Sequence, residues 1–444
     1  MKLDDEYKVI IESFDVNGYG VCHIEGRVVF VEYALEGEEV IIKITNIHKK
    51  YCFAKAIKVL KASPHRIMSL DEINNLAGEA DLIFVDYETE LKIKENKVKN
   101  TIKSSNYKFN NIISSDNQYN YRNKTMMPFQ MRNGDVIYGY YSQKSHDIVE
   151  TKNDSLANPK VSDILYLIKR YLVLFNVSIY DEKTNSGIFR EVMIRNNYKN
   201  EFMIVLVATK KIDFSRLIEM LTEEFKEIKS IYLNVNSKNT NVVLSDEYYL
   251  LYGNKAINEN ILGLTFEVYP ASFLQVNHNQ CEKLYSEAFR MANLNKNMNV
   301  IDAYCGIGSI TLNIAKNVNH VYGIEIVEDA ILNANNNKRT NNIDNATFIC
   351  GPCEKEIKKL ANLNNIDIVF FDPPRKGCDV EFLNTIIEMK ISKIIYISCN
   401  VATLARDIKV LEENGYELKE VTPVDLFSKT SHVETICVLS KKMA

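Results

Sequence analysis

The sequence contains no tryptophan, no run of about 18 apolar residues and no pair of histidines at metal-ligand spacing. The missing apolar run excludes a helix that crosses a membrane. Met1 to Tyr7 is acidic and polar and lacks the apolar core of a secretory signal, so a cytoplasmic location is expected. The seven histidines show no His-x-x-x-His with an acid nearby, so no metal centre is expected. The nine cysteines are scattered along the chain without a secretory context, and they read as thiols, not as a disulfide framework. No internal repeat is present.

What is there is an ordinary globular composition. The 444 residues suggest about three domains at ~150 residues each. Hydrophobic residues make up 46% and charged residues 25%. The net charge of −4 excludes a chain that is basic throughout. Charge is nonetheless uneven. Lys43, Lys49, Lys50, Lys55, Lys58 and Lys61 follow one another with no acid between them. Lys92, Lys94, Lys97, Lys99, Lys103 and Lys108 form a second run interrupted only by Glu95. Such runs either neutralise phosphates or cover solvated strand and helix faces. The 25 tyrosines and 19 phenylalanines offer surfaces on which a nucleic-acid base can stack.

Residues 1–60 carry short alternating segments separated by the turns Asn17-Gly18-Tyr19-Gly20 and Leu35-Glu36-Gly37-Glu38, the pattern of a small OB-like β-barrel. Ser63-Pro64 marks a boundary. Residues 61–265 read as an α+β middle domain. It starts with a Lys-rich helix over Asp86–Ser104, continues with a hairpin turning at Asn133-Gly134, and holds a helix over Val161–Phe175. From 266 to 444 strands and helices alternate regularly. That predicts an α/β domain, a Rossmann-like, mostly parallel sheet with helices on both faces and ligands at the carboxyl ends of its strands.

Asn299 to Ala303 runs into Tyr304-Cys305-Gly306-Ile307-Gly308-Ser309, a strand entering a glycine-bearing turn and a helix. Gly306 and Gly308 let backbone approach a ligand closely. The third glycine of a dinucleotide fingerprint is missing, and the next strand ends in Gly323-Ile324-Glu325. An acid at that position accepts both hydroxyls of a ribose. The pairing fits S-adenosylmethionine better than NAD.

The strand Ile368–Phe371 ends in Asp372-Pro373-Pro374-Arg375, where prolines stiffen the loop and hold the carboxylate near cofactor and substrate. The following strand ends in Ser398-Cys399-Asn400, at the start of a helix that is expected to lower the thiol pKa. Glu434 stands near the start of the last strand. A thiol and a carboxylate together suit one reaction. Carbon 5 of uracil is a poor nucleophile until a thiolate adds to carbon 6. A carboxylate then removes the proton from the methylated carbon 5. Gln275, in Phe273-Leu274-Gln275-Val276-Asn277, could read a base edge or hold the cofactor.

Taken in order, FLQVN (273–277), DAYCGIGS (302–309), GIE (323–325), FDPPRKG (371–377), YISCN (396–400) and HVETICVL (432–439) resemble the RNA uridine-5-methyltransferase family, in particular its ribosomal-RNA branch. The resemblance implies that Cys399 is the nucleophile and Glu434 the base. It also implies that Gln275, Tyr304, Glu325 and Asp372 bind S-adenosyl-L-methionine. NGYG (17–20), GRVVFV (26–31) and ALEGE (34–38) are similar to a TRAM domain, an RNA-binding barrel. The tRNA T-loop enzymes of this family in proteobacteria typically lack that domain, so 23S rRNA is the implied partner. A monomer is assumed. Relatives often carry cysteines that hold an iron–sulfur cluster. Here the matching positions are Ala77, Ala80 and Asp154, and no cysteine occurs from Ala62 to Asp154, so no cluster is expected.

Other readings stay open at this level. Cys350-Gly351-Pro352-Cys353 spells a thioredoxin-type motif but follows a strand of the cofactor-binding sheet, not the start of a small fold of its own. His432 beside Glu434 could serve the site or make a structural hydrogen bond. A non-catalytic RNA-binding factor, an NAD oxidoreductase, a cytosine-5 methyltransferase and a tRNA T-loop enzyme are the competing functions.

Overall fold

The computed structural model describes residues 1–75, 80–141, 147–151, 153–240, 242–363 and 365–442. The first sheet has six strands in the order Glu6–Ile10, Glu39–Ile47, Tyr51–Lys61, Arg27–Glu32, Gly20–Ile24, Ser13–Phe14. Successive side chains of a strand point to opposite faces. Val29, Val31, Val40, Ile42, Ile44, Cys52 and Ala54 therefore meet in one buried cluster. The alternate positions Phe30 and Phe53 are left half-buried on the outer side, opposite each other in a parallel pair.

The second sheet has seven strands in the order Ile148–Glu150, Asp135–Tyr141, Lys124–Arg132, Phe189–Asn196, Phe202–Ala208, Ile228–Val235, Tyr248–Gly253. The hairpin between Lys124–Arg132 and Asp135–Tyr141 turns at Asn133 and Gly134, both with positive φ. Helices Lys160–Leu174 and Ser215–Glu224 share a core with one face, through Val192, Ile194, Ile204 and Leu206. Met193, Met203 and Val205 point the other way, into a core shared with the following domain. Burial on both faces is why Phe202–Ala208 is apolar at every position.

The third sheet has eight strands, ordered Ala346–Cys350, His320–Glu325, Asn299–Ala303, Ile368–Phe371, Lys393–Ser398, Glu434–Lys441, Tyr416–Val424, Lys108–Phe109. The first five are parallel, and Glu434–Lys441 joins antiparallel to Lys393–Ser398. This is the Rossmann-like arrangement that the strand–helix alternation predicts. The helices that follow its strands include Ser309–Ala315, Glu328–Thr340, Val380–Met389 and Val401–Glu413.

One segment sits differently from its place in the sequence. The helix Tyr87–Thr101 and the strand Lys108–Phe109, read as the start of the middle domain, lie against the third sheet. Val98 and Ile102 enter that sheet's core beside Val421 and Leu439, and Lys108–Phe109 pairs with Tyr416–Val424 as its eighth strand. A helix with so many lysines gives little sign of an inward face. Here the inward face includes two buried charges, Glu90 and Lys94.

Ala80 belongs to a small apolar cluster with Leu35, Ile73, Leu82, Phe84 and Leu156. Asp154 accepts the Tyr140 hydroxyl and the Leu156 amide, the latter at 2.9 Å. Ala77 lies outside the described residues. Among the described residues no group of His, Cys, Asp and Glu is placed to hold a metal ion, and no helix is long and apolar enough to cross a membrane.

Candidate active site

The carboxyl ends of the parallel strands gather most of the residues singled out by sequence. Asn299–Ala303 runs into a turn in which Tyr304, Gly306 and Gly308 all have positive φ. At Gly308 this conformation coincides with close packing, because a Cβ there would lie 2.7 Å from the Phe348 ring. A Cβ at Gly306 would meet nothing within 4 Å, so the turn opens onto free space. The Gly306 amide donates to Glu325 Oε2 at 3.2 Å. The other oxygen, Oε1, accepts the amides of Ile326 and Val327 at 2.8 and 3.0 Å. These bonds orient the Glu325 carboxylate at the strand end. The Tyr304 ring packs on Phe382 at 5.3 Å. Beneath the turn Asp302 accepts the Thr311 hydroxyl at 2.5 Å, and burial pushes its carboxyl up to about 7.

Asp372 follows the neighbouring strand. Gln275 Nε2 donates to Asp372 Oδ2 at 3.1 Å. The loop beyond is tied to the next strand's exit, since the Arg375 carbonyl accepts Asn400 Nδ2 at 3.1 Å and Thr403 Oγ1 at 3.4 Å. Ser398 pairs with Thr435 in the antiparallel ladder, which sets the half-buried Cys399 against Glu434. Glu434 is 2% exposed, and its Oε2 has no hydrogen-bond partner. Burial and then the Asp372 carboxylate hold Glu434 well above the ordinary carboxyl range, with Arg375 pulling the other way. Asp372 is likewise raised by burial, against the Gln275 hydrogen bond.

The expected lowering of the Cys399 pKa is not what the structure gives. Burial, then Glu434 and Asp372, push the thiol up to about 12, and Arg375 only partly opposes them. The helix start does little to offset this. Asn400 caps Val401–Glu413, its Oδ1 accepting the Ala402 and Thr403 amides, so the free N–H groups serve the asparagine and not the sulfur.

Sequence reading passed over Asn123. Asn123 Nδ2 donates to the Gln275 carbonyl at 3.0 Å, and its own amide donates to the Val276 carbonyl at 2.8 Å. It arrives from the second sheet, 152 residues away in sequence, and no local pattern marks it. The remaining candidates are placed near the site without joining the cluster. The His432 ring contacts Phe427 edge-on at 6.0 Å. Cys350 and Cys353 are free thiols on either side of the Glu325 strand end, turned to the carbonyls of Ile326 and Ile324 at 3.7 and 3.9 Å.

The chain is similar to known proteins along its whole length. The signature of the tRNA (Uracil-5-)-methyltransferase family covers residues 86–442, and that of the TRAM domain covers residues 4–57. An uncharacterized RNA methyltransferase of Oceanobacillus iheyensis is 38% identical over 447 residues, 99% of this chain and 97% of the relative. One from Listeria innocua is 38% identical over 449 residues, covering 100% and 99% of the two chains. The tRNA (uracil-54, C5)-methyltransferase of Pyrococcus abyssi, solved with S-adenosyl-L-homocysteine, superposes with a TM-score of 0.78 at 23% identity. The match covers 98% of this chain and 100% of that one.

Proposed function

The chain belongs to the tRNA (uracil-5-)-methyltransferase family, and from that premise we propose that it methylates carbon 5 of a uridine in 23S rRNA through a covalent bond to Cys399. The observation that carries this reading is the facing of Cys399 and Glu434 across the Lys393–Ser398 and Glu434–Lys441 strands, with Asp372 acting electrostatically on both. Burial raises both the thiol, to about 12, and the Glu434 carboxyl, which makes Glu434 the stronger base once it is ionised.

S-adenosyl-L-methionine supplies the methyl group when bound. The residues fit it. Glu325, oriented by three amides, would hold the ribose hydroxyls, and Gly306, Gly308 and Tyr304 would present the open turn to the nucleoside. The hydrogen-bonded pair Gln275 and Asp372 would hold the rest of the cofactor beside the base. Cys399 Sγ forms a bond to carbon 6 of uracil as its proton passes to a neighbouring carboxylate, and the C5=C6 electron pair moves toward the C4 carbonyl. Carbon 5 would then take the methyl group with the electron pair held toward C4, as the methyl–sulfur bond of the donor breaks and leaves its pair on that sulfur. Glu434 accepts the C5 proton, the released pair re-forms C5=C6, and the C6–S bond breaks. Arg375 stabilises negative charge beside the thiolate.

The target base must leave its stack to reach Cys399. The TRAM domain, with Phe30, Tyr51 and Phe53 on its outer side, gives the RNA a second foothold. This reading places the protein in the cytoplasm as a monomer. A second substrate is favoured by one observation. The superposable Pyrococcus enzyme acts on tRNA and matches 98% of this chain, so the N-terminal domain by itself does not separate rRNA from tRNA. The experiment is transfer of a tritiated methyl group to unmodified 23S rRNA and unmodified tRNA, with Cys399→Ala beside the wild type. Label in rRNA, mapped to 5-methyluridine and absent with Cys399→Ala, is expected. Label in tRNA alone replaces the substrate and keeps the chemistry.

A further inference from the structure

The connection from Asp425 to Val433 has no regular secondary structure and leads directly into Glu434. It is nevertheless deeply buried, with Asp425, Ser428, Lys429 and Thr430 each no more than 4% exposed. Asn277 and Gln280 donate to its Leu426 and Asp425 carbonyls at 3.0 and 2.9 Å, and further groups reach it from outside the third sheet's own consecutive elements. Lys94 Nζ donates to Asp425 Oδ1 at 2.5 Å and to the Phe427 carbonyl at 3.1 Å, and bonds Glu90 at 2.7 Å. Lys97, one turn along the same helix, donates to the Ser431 carbonyl at 2.8 Å. Glu90 Oε1 accepts the Lys429 amide and Asp81 Oδ1 accepts the Ser431 amide, each at 2.7 Å. Gly18 of the N-terminal sheet closes the outer side, where a Cβ would lie 3.2 Å from the Ser431 Cβ.

Burial works against the charge on Lys94, but Asp425 and Glu90 outweigh it and keep the amine protonated. Apolar side chains of the same shape often stabilise a core as well as a dry ion cluster does, so stability alone does not account for the cluster. The geometry it specifies ends at Glu434.

We propose that Lys94 and Lys97 are positioning residues for Glu434, fixing the Asp425–Val433 connection so that the carboxyl meets the hydrogen on carbon 5. The proposal rests on the reading of Glu434 as the proton acceptor. In that reaction methyl transfer comes first. The C5–H bond then breaks toward Glu434, its electron pair re-forms C5=C6, and the bond to Cys399 breaks. A displaced Glu434 slows only the second half, so methylated RNA stays attached to the protein.

The test uses the full-length protein, tritiated-methyl S-adenosylmethionine and whichever of 23S rRNA or tRNA the wild type labels. Reactions are quenched in detergent, and label is divided between free RNA and the denaturation-resistant protein–RNA adduct. Lys97→Met removes one half-buried donor with little change of volume. It is expected to raise the adduct's share of label roughly tenfold, a fraction of the ~10²–10⁴ that a positioned base contributes. RNA affinity should stay at the wild-type value, and Lys97→Arg should return the partition toward normal. Lys94→Met should behave in the same way where its thermal melt shows it folded. A wild-type partition in Lys97→Met overturns the proposal, and so does uniformly slow labelling without adduct. Glu434→Gln is run alongside. Adduct in Glu434→Gln but not in the lysine variants defeats the positioning role alone, while no enrichment in Glu434→Gln defeats the assignment of the base on which it stands.

Discussion

Gln275 donates its side-chain amide to Asp372 at 3.1 Å, while its carbonyl accepts Asn123 from the second sheet. One residue thus joins two domains to a carboxylate at the centre of the site. The bond helps keep Asp372 ionised against its burial. Gln275→Ala removes that donor, and a hydrogen bond to a charged group is worth ~1.5–3 kcal/mol. S-adenosylmethionine affinity, measured by titration calorimetry, is expected to fall by about tenfold or more. An unchanged affinity would mean that the pair is structural.

The Cys399 thiol, at about 12, is a poor thiolate near neutrality. For a thiol whose pKa lies above the working pH, the thiolate fraction rises with pH. Alkylation of Cys399 by iodoacetamide, read by peptide mass spectrometry, is therefore expected to climb about tenfold per pH unit from 7 to about 10. Glu434→Gln removes the second-largest cause of the shift, so its profile should turn over at lower pH than the wild type. A wild-type plateau near the free-cysteine value of about 8.5 contradicts the geometry described here.

Gly306 and Gly308 share a turn but not a constraint. Both have positive φ, yet only at Gly308 does a Cβ run into a ring, the Phe348 edge at 2.7 Å. Gly308→Ala therefore combines a strained backbone of ~1–3 kcal/mol with displacement of Phe348 from the sheet face. It should lower the melting temperature by several degrees more than Gly306→Ala, as followed by circular dichroism. Gly306→Ala carries the backbone strain alone, so it should melt between Gly308→Ala and the wild type, and it should also weaken cofactor binding, because its methyl group points into the open space above the turn. Equal melting temperatures for the two variants would count against this distinction.

These contrasts bear on what can be read from sequence. Gly306, Gly308, Glu325 and Asp372 were legible because each stands at the end of an apolar strand, and the fold brings such ends to one edge. The facing of Cys399 and Glu434 was legible as chemistry and not as geometry, since it depends on the antiparallel register that pairs Ser398 with Thr435. Lys94 was illegible. In sequence it belongs to a basic run, which reads as a solvated or phosphate-binding face. In the structure it is fully buried against Asp425, 331 residues away. The thiol pKa was misread because the burial of Cys399 and the approach of Glu434 and Asp372 arise only in the folded chain. A helix start near Cys399 was foreseen, but not that Asn400 would take its amides.

The last prediction concerns the outer side of the N-terminal sheet. The Tyr51 ring stacks on His48 at 4.6 Å and meets Phe30 and Phe53 edge-on, forming an aromatic surface beside Lys49 and Lys50. Tyr51 remains 38% exposed, so this surface contributes little to the sheet's own core, which is built from the opposite face. An aromatic platform flanked by cations suits unpaired bases, each stacked base being worth ~1–3 kcal/mol. Tyr51→Ala should therefore weaken RNA binding by about five- to a hundredfold in a filter assay at fixed salt. Its S-adenosylmethionine affinity and melting temperature should stay close to the wild type. The same loss for rRNA and tRNA would identify a general grip on RNA. A loss confined to one of them would make this surface part of how the substrate is chosen. No loss for either would restrict the recognition of RNA to the two larger domains.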